Sequence, residues 1–97
     1  MRIISKPILK DFWTKHPDAE KPLQVWYKTI KSRDFLDLKD LKYTFKTADR
    51  VDGLTVFNIG GNKYRLIASI HYNRKKVFIR SVLTHPEYDR GNWKQQT

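Results

Sequence analysis

No cysteine occurs in this sequence, which excludes a disulfide framework, thiolate metal sites and a cysteine nucleophile. The histidines, at positions 16, 71 and 85, show none of the close spacing of a structural zinc site. No apolar run approaches the roughly 18 residues of a membrane span, and the N-terminus lacks the continuous apolar stretch of a signal peptide. The chain therefore reads as cytoplasmic, with no membrane partner. Glycine and proline are sparse at four each, and neither a linker, a repeat nor a low-complexity tract is visible. Acid is scarce too: ten Asp and Glu stand against twenty Lys and Arg, and residues 53–86 carry none at all.

What is present suits one domain over residues 1–97. A length of 97 residues accommodates a single core, and 39% hydrophobic with 13% aromatic residues can build it. The formal charge of +10 calls for a polyanionic or acidic partner.

The first half has helical periodicity. Met1 to Ile4 reads as a short strand, with Ser5 as N-cap and Pro7 in the first turn of a helix. Ile8, Leu9, Phe12 and Trp13 form its apolar stripe, and His16-Pro17 ends it. Asp18 is the expected cap of a second helix, in which Leu23, Trp26, Tyr27 and Ile30 share a face. The pair predicts a helical hairpin. Leu38, Leu41, Lys42 and Phe45 suggest a short helical turn with an extended tail.

The second half alternates. Leu54–Ile59, Lys63–Tyr72 and Lys76–Thr84 read as strands of an antiparallel meander, joined by Gly60-Gly61-Asn62 and Asn73-Arg74-Lys75. Taking Arg74-Lys75 as a two-residue turn sets Ser69 opposite Arg80 and Arg65 opposite Thr84, so the two arginines share one face. Ile67, His71, Phe78, Val82, Leu54, Val56 and Asn58 join them there. Tyr64, Leu66, Ala68, Ile70, Tyr72, Val77, Ile79, Leu83, Phe57 and Ile59 form the opposite, more apolar face, which should receive the hairpin. Trp93 in the polar tail is either loose or docked.

Arg65 and Arg80, in an apolar frame, are suited to clamp a phosphate, although strand arginines also serve simply to keep a sheet soluble. Thr84-His85-Pro86-Glu87-Tyr88-Asp89 adds an imidazole, a phenol and two carboxylates at the end of the last strand. Those are proton-transfer groups, yet His-Pro there is also an ordinary turn. His16, His71, Trp13 and Trp26 read as structural. Gly60-Gly61-Asn62 opens no helix, so it is a hairpin turn and no phosphate-binding loop.

Three stretches carry a family resemblance: Leu41-Lys42-x-x-Phe45, Val56 through Leu66, and Ile79 through Asp89. Within them Phe57-Asn58-x-Gly60-Gly61-Asn62-x-x-Arg65 and Thr84-His85-x-x-Tyr88-Asp89 are the most specific blocks. Together they resemble the HigB toxins of bacterial type II toxin-antitoxin systems, over nearly the whole chain. The resemblance implies an α+β, RelE-like fold, an N-terminal helical hairpin packed on a small antiparallel β-sheet whose other face binds RNA. It further implies an endoribonuclease that cuts mRNA, commonly in the ribosomal A site, and a HigA-type antitoxin through which any oligomer would form. Carried over residue by residue, it gives Arg65, Arg80, His85 and Tyr88 as catalytic candidates. Lys42, Asn58, Lys63 and Asp89 become substrate contacts, with orienting Tyr88 or His85 as the alternative role for Asp89. RNA cleavage through the 2′-OH requires neither metal nor cofactor. Which group is acid and which base stays open, with His85 favoured as base. Two other readings are a gyrase poison in the manner of ParE and a basic RNA-binding module without activity. The titratable pair His85 and Tyr88 argues for the nuclease.

Overall fold

In the computed structural model, which describes residues 1–96, the elements are β1 (Arg2–Ile4), α1 (Pro7–Lys15), α2 (Glu20–Lys31), α3 (Leu38–Thr44), β2 (Asp49–Val51), β3 (Leu54–Ile59), β4 (Tyr64–His71), β5 (Lys76–Thr84) and α4 (His85–Arg90). The five strands form one sheet in the order β1-β5-β4-β3-β2. β2 to β5 make the antiparallel meander, but β1 lies parallel to β5 with Ile3 beside Val77. The architecture is α+β as expected, with a mixed sheet in place of a wholly antiparallel one. The Met1 ammonium holds that edge by donating to the carbonyls of Ile30, at 3.3 Å, and Arg33, at 2.9 Å, at the end of α2.

Two local expectations fail near the hairpin. Ser5 is no N-cap: it takes φ 74 in the reversal from β1 into α1, and Lys6 occupies the cap position without a side-chain bond. Asp18 does not cap α2 either, because Pro17–Ala19 form a 3-10 turn that runs into the helix. Its carboxylate instead accepts from the Tyr64 hydroxyl at 2.6 Å and from Lys63 at 2.9 Å. The Tyr64 ring also meets Phe12 and His16 edge-on or tilted, so this corner fastens the hairpin to β4.

α1, α2 and α3 cover one face of the sheet, where Leu9, Leu23, Trp26, Ile30 and Leu41 pack on Phe57, Leu66, Ala68, Val77 and Ile79. The second face has its own smaller core of Leu54, Val56, Ile67 and Trp93, with Leu83 and Tyr88 against it. Trp93 thus docks, and the C-terminal segment covers part of the face that the sequence left open.

The register departs from the expectation for two reasons. Tyr72–Arg74 form a 3-10 turn and Lys75 adopts φ 58, so His71, not Asn73, pairs with Lys76. A β-bulge then inserts one residue: Ala68 pairs with Ile79 but Ile67 pairs with Ser81, leaving Arg80 as the extra residue. Beyond it the pairs are Leu66 with Val82, Arg65 with Leu83 and Tyr64 with Thr84. A one-residue insertion exchanges faces, so Val82 joins the helix-side core and Leu83 the other, the reverse of their expected placement.

The tethering carboxylates make stability fall in acid. The Tyr64 hydroxyl first, and then Lys63, hold the Asp18 carboxyl below its ordinary pKa, and the Thr84 N–H and hydroxyl do the same for Glu87. A carboxylate depressed in the folded state adds stability above its unfolded pKa and loses it as pH falls. Thermal unfolding should therefore drop as pH is lowered through about 4. Asp18→Asn should make that acid limb shallower while lowering the plateau at neutral pH; an unchanged limb would contradict the tether.

Candidate functional site

The site is built around α4. Thr84 ends β5 and caps the helix: its N–H donates to Glu87 Oε1 at 2.9 Å, and its hydroxyl accepts from the Glu87 N–H at 3.4 Å. Pro86 sits in the first turn, where no N–H is needed, and Gly91 closes the helix at φ 75, a conformation that favours glycine. Thr84-His85-Pro86-Glu87 is therefore a helix start, and no mere turn. On this helix His85 and Asp89 lie at i and i+4, with Nε2 and Oδ1 3.7 Å apart, and both are solvent-exposed. Of the two residues that Asp89 was expected to orient, His85 is the one whose contact with it is described.

Tyr88 is held from two elements. Trp93 stacks on its ring at 5.2 Å and an interplanar angle of 13°, and the indole N–H donates to the Tyr88 carbonyl at 3.0 Å. The Arg65 guanidinium lies 5.4 Å from the ring centroid. That arginine is not on a solvent-facing surface as expected, being only 8% exposed. Its Nη1 donates to the carbonyls of Asn62 and Tyr64, and its Nη2 to Asn62 Oδ1, at 3.1 to 3.2 Å. The guanidinium is thus partly saturated by neutral acceptors, and its planar face remains for Tyr88.

Other expected residues are placed differently. Asn58 pairs with Arg65 across β3 and β4 and shares its face, half-buried. Arg80, exposed at the bulge, does not oppose Ser69; it lines a groove of about 350 Å³ at the β5 edge, together with Lys15 and His16 of the α1 end and Glu87 of α4. The parity argument that put Arg65 and Arg80 on one face does not hold across a bulge. Lys63 is tied to Asp18, and Lys42 is exposed on α3 with none of the described contacts joining it to the α4 cluster. His71 is at the end of β4, exposed and edge-on to Phe78, and Trp26 is buried, both structural as read.

Two residues were given no site role by sequence reasoning. Asn62 was read only as a turn residue, yet it fixes Arg65; the Asn-x-x-Arg spacing was its signal. Trp93 supports Tyr88, and its signal was a lone aromatic in an otherwise polar tail. Among the described residues no group of three or more His, Asp or Glu converges as a metal site would require. What the arrangement offers chemically is an exposed imidazole paired to a carboxylate, a supported phenol on the same helix, and a buried cation beneath that phenol.

Comparison with known proteins matches residues 19–91 to the HigB toxin family, described as the RelE-like toxic component of a toxin-antitoxin system. The chain is 36% identical over 92 residues to the mRNA interferase toxin HigB of Escherichia coli K12, covering 92% of this chain and 88% of that protein. It is equally similar to the mRNA interferase HigB of Shigella flexneri. To the mRNA interferase HigB of Escherichia coli O6:H1 it is 31% identical over 93 residues, 93% of this chain and 90% of that one.

Support of Tyr88 by Trp93 is open to test. Trp93→Ala should cost about 3 kcal/mol, as for other buried large-to-small changes. Trp93→Phe, which keeps an aromatic face but loses the N–H donor, should cost about 1 kcal/mol. Urea unfolding checks both; equal midpoints for Trp93→Ala and the parent chain would show that the indole supports nothing.

Proposed function

Because the chain belongs to the HigB family of RelE-like toxins, we propose that it is an endoribonuclease that cleaves mRNA through the exposed His85 and the supported Tyr88 of α4. The observation that carries this reading is the pairing of both proton-transfer groups on one short helix, with Arg65 over the Tyr88 ring. The names of the relatives as mRNA interferases support it.

The chemistry follows from the geometry. Asp89 Oδ1 stands 3.7 Å from Nε2 of His85, too long for a hydrogen bond, which puts the carboxylate on the Nε2 side of the ring. Nδ1 is then the nitrogen that takes the proton of the ribose 2′-OH. The 2′-oxygen attacks the adjacent phosphorus, the bond to the 5′-oxygen breaks, and the Tyr88 hydroxyl supplies a proton to the departing oxygen. The products are a 2′,3′-cyclic phosphate and a 5′-hydroxyl, and the balance needs no oxidant, metal or cofactor. Arg65 acts as a positioning residue for Tyr88, and its charge opposes the negative charge that builds on the phosphate. Arg80 receives the RNA chain at the edge groove beside α4.

The substrate is mRNA in the A site of the translating ribosome, the setting is the cytoplasm, and a HigA-type antitoxin neutralises the activity. None of the helices among the described residues is long and apolar enough to cross a membrane.

His85→Ala and Tyr88→Phe should each slow cleavage by about 100- to 10,000-fold if the groups transfer protons. The measurement is mapping of mRNA 5′ ends after incubation with translating ribosomes. A double variant that cuts within a few-fold of the parent would reject the assignment. RNA with a 2′-deoxy scissile nucleotide should resist entirely, and activity lost in EDTA and restored by Mg²⁺ would point to a metal-dependent nuclease instead. Arg65→Lys should recover only part of what Arg65→Ala loses, since an ammonium cannot bridge the Asn62 acceptors as the guanidinium fork does.

A further inference from the structure

The pairing of β1 with β5 ends at Ile4 and Phe78, and further along β5 two hollows open beside the strand. One is the groove that Arg80 lines, together with Asp11, Lys15 and His16. The other, of about 200 Å³, is formed by β5, α4 and the C-terminal segment, where Ser81, Leu83, Glu87, Arg90, Asn92 and Trp93 line it. Ser81 and Glu87 belong to both, so the two adjoin. An RNA chain received by Arg80 passes the mouth of the second hollow.

That hollow has the size and the walls for one nucleobase. It is smaller than the ~300 Å³ at which pockets for drug-sized ligands begin, which leaves room for a single flat ring system. Leu83 and Trp93 supply apolar surface, and Glu87, Arg90 and Asn92 supply an acceptor and donors. The Trp93 N–H is already given to the Tyr88 carbonyl at 3.0 Å, so the indole offers an occupant its ring surface only. Apolar walls with a polar edge suit an unpaired base, which is held by stacking and read by hydrogen bonds to its edge.

Glu87 decides which base fits. The described hydrogen bonds of its carboxylate, from the Thr84 N–H and hydroxyl, both end on Oε1 at 2.9 Å and hold the carboxyl below its ordinary pKa. Oε2 is then an acceptor with no proton to give. Adenine, cytosine and guanine each present an exocyclic amino group to such an acceptor. Uracil presents a carbonyl oxygen on either side of its one edge N–H, and a carboxylate repels both. The position along the RNA follows from α4, where Glu87 precedes Tyr88, Arg90 follows it, and Trp93 stacks on its ring, while His85 is not among the lining residues. Tyr88 serves the departing 5′-oxygen, which belongs to the nucleotide 3′ of the cut.

We infer that this hollow seats the base of the nucleotide on the 3′ side of the cut, with Glu87 accepting from its amino group, so that adenine, cytosine or guanine is admitted and uracil is excluded. The inference rests on the reading of His85 and Tyr88 as the cleaving pair.

The test reads base preference, a ratio that does not depend on overall rate. Translating ribosomes are loaded with mRNAs that differ only in the nucleotide 3′ of a mapped cut. The parent chain should cut before uridine about 10- to 100-fold more slowly than before the amino-bearing nucleotides. Purine riboside, which keeps the shape of adenosine without its amino group, should be cut as poorly as uridine. Glu87→Gln preserves the capping box, which takes Gln as well as Glu, and adds an amide N–H for a uracil carbonyl, so the preference should shrink to within a few-fold. Thermal unfolding checks that this variant is folded; if it is not, the purine riboside comparison with the parent chain decides. Equal cutting before uridine and adenosine, equal cutting of purine riboside and adenosine, or an undiminished preference in folded Glu87→Gln overturns the inference and leaves the nuclease reading standing. A bias confined to the nucleotide 5′ of the cut overturns it as well. Absence of all cleavage by the parent chain defeats the nuclease reading, and the inference with it.

Discussion

The extra residue in β5 governs how the two sides of this molecule are built. Without the bulge at Arg80, strict alternation from Val77 and Ile79 would send Ser81 and Leu83 under the helices and Val82 to the other side. With it, Val82 completes the core beneath the hairpin while Leu83 faces Tyr88 and Trp93. Each core gains the residue it needs from the same short stretch. The bulge also sets Thr84 opposite Tyr64, and Thr84 is where α4 is capped, so the position of His85 and Tyr88 relative to Arg65 descends from it.

Much of this was legible in the sequence, because burial imposes a period. The limits of Leu54–Ile59 and Lys76–Thr84 follow from alternation alone, and the stripes of Leu9 and of Leu23, Trp26 and Ile30 identify the buried sides of the hairpin. What failed depended on local backbone geometry that composition does not encode. Lys75 in the left-handed region turns a two-residue connection into a longer one, and no side chain announces an inserted residue at Arg80. The error at α4 was different in kind. A Thr-x-x-Glu capping box with proline in the first turn and glycine beyond the end was in plain view, and the chemistry of His85 and Tyr88 drew the reading away from it.

Arg65 shows how a charge can be buried with no counter-ion among the described residues. Its acceptors are carbonyl and amide oxygens, and its guanidinium lies against an aromatic ring. Neutral dipoles lower the cost of desolvation but do not cancel the charge. A carboxylate partner would have fixed the side chain as firmly while extinguishing the field it projects. The Asn62 arrangement holds that charge against the Tyr88 ring of α4. Burial therefore turns an expected open clamp into a fixed electrostatic element, at the loss of the direct contact that an exposed guanidinium would make.

The same sheet thus separates two demands that a net charge of +10 would otherwise confuse. A uniformly basic surface attracts any polyanion and cannot tell a nucleic acid from an acidic protein by charge alone. The surroundings of the cations differ from side to side. On one side a guanidinium held by Asn62 lies against the Tyr88 ring on a short capped helix; on the other, ammonium groups line apolar hollows between longer helices. Both sides are hollowed, since the groove of about 350 Å³ at the β5 edge reaches Glu87 of α4, so they differ in the cations they carry rather than in the space they offer. What each cation is set against differs between the two sides, and the sheet keeps the two settings apart.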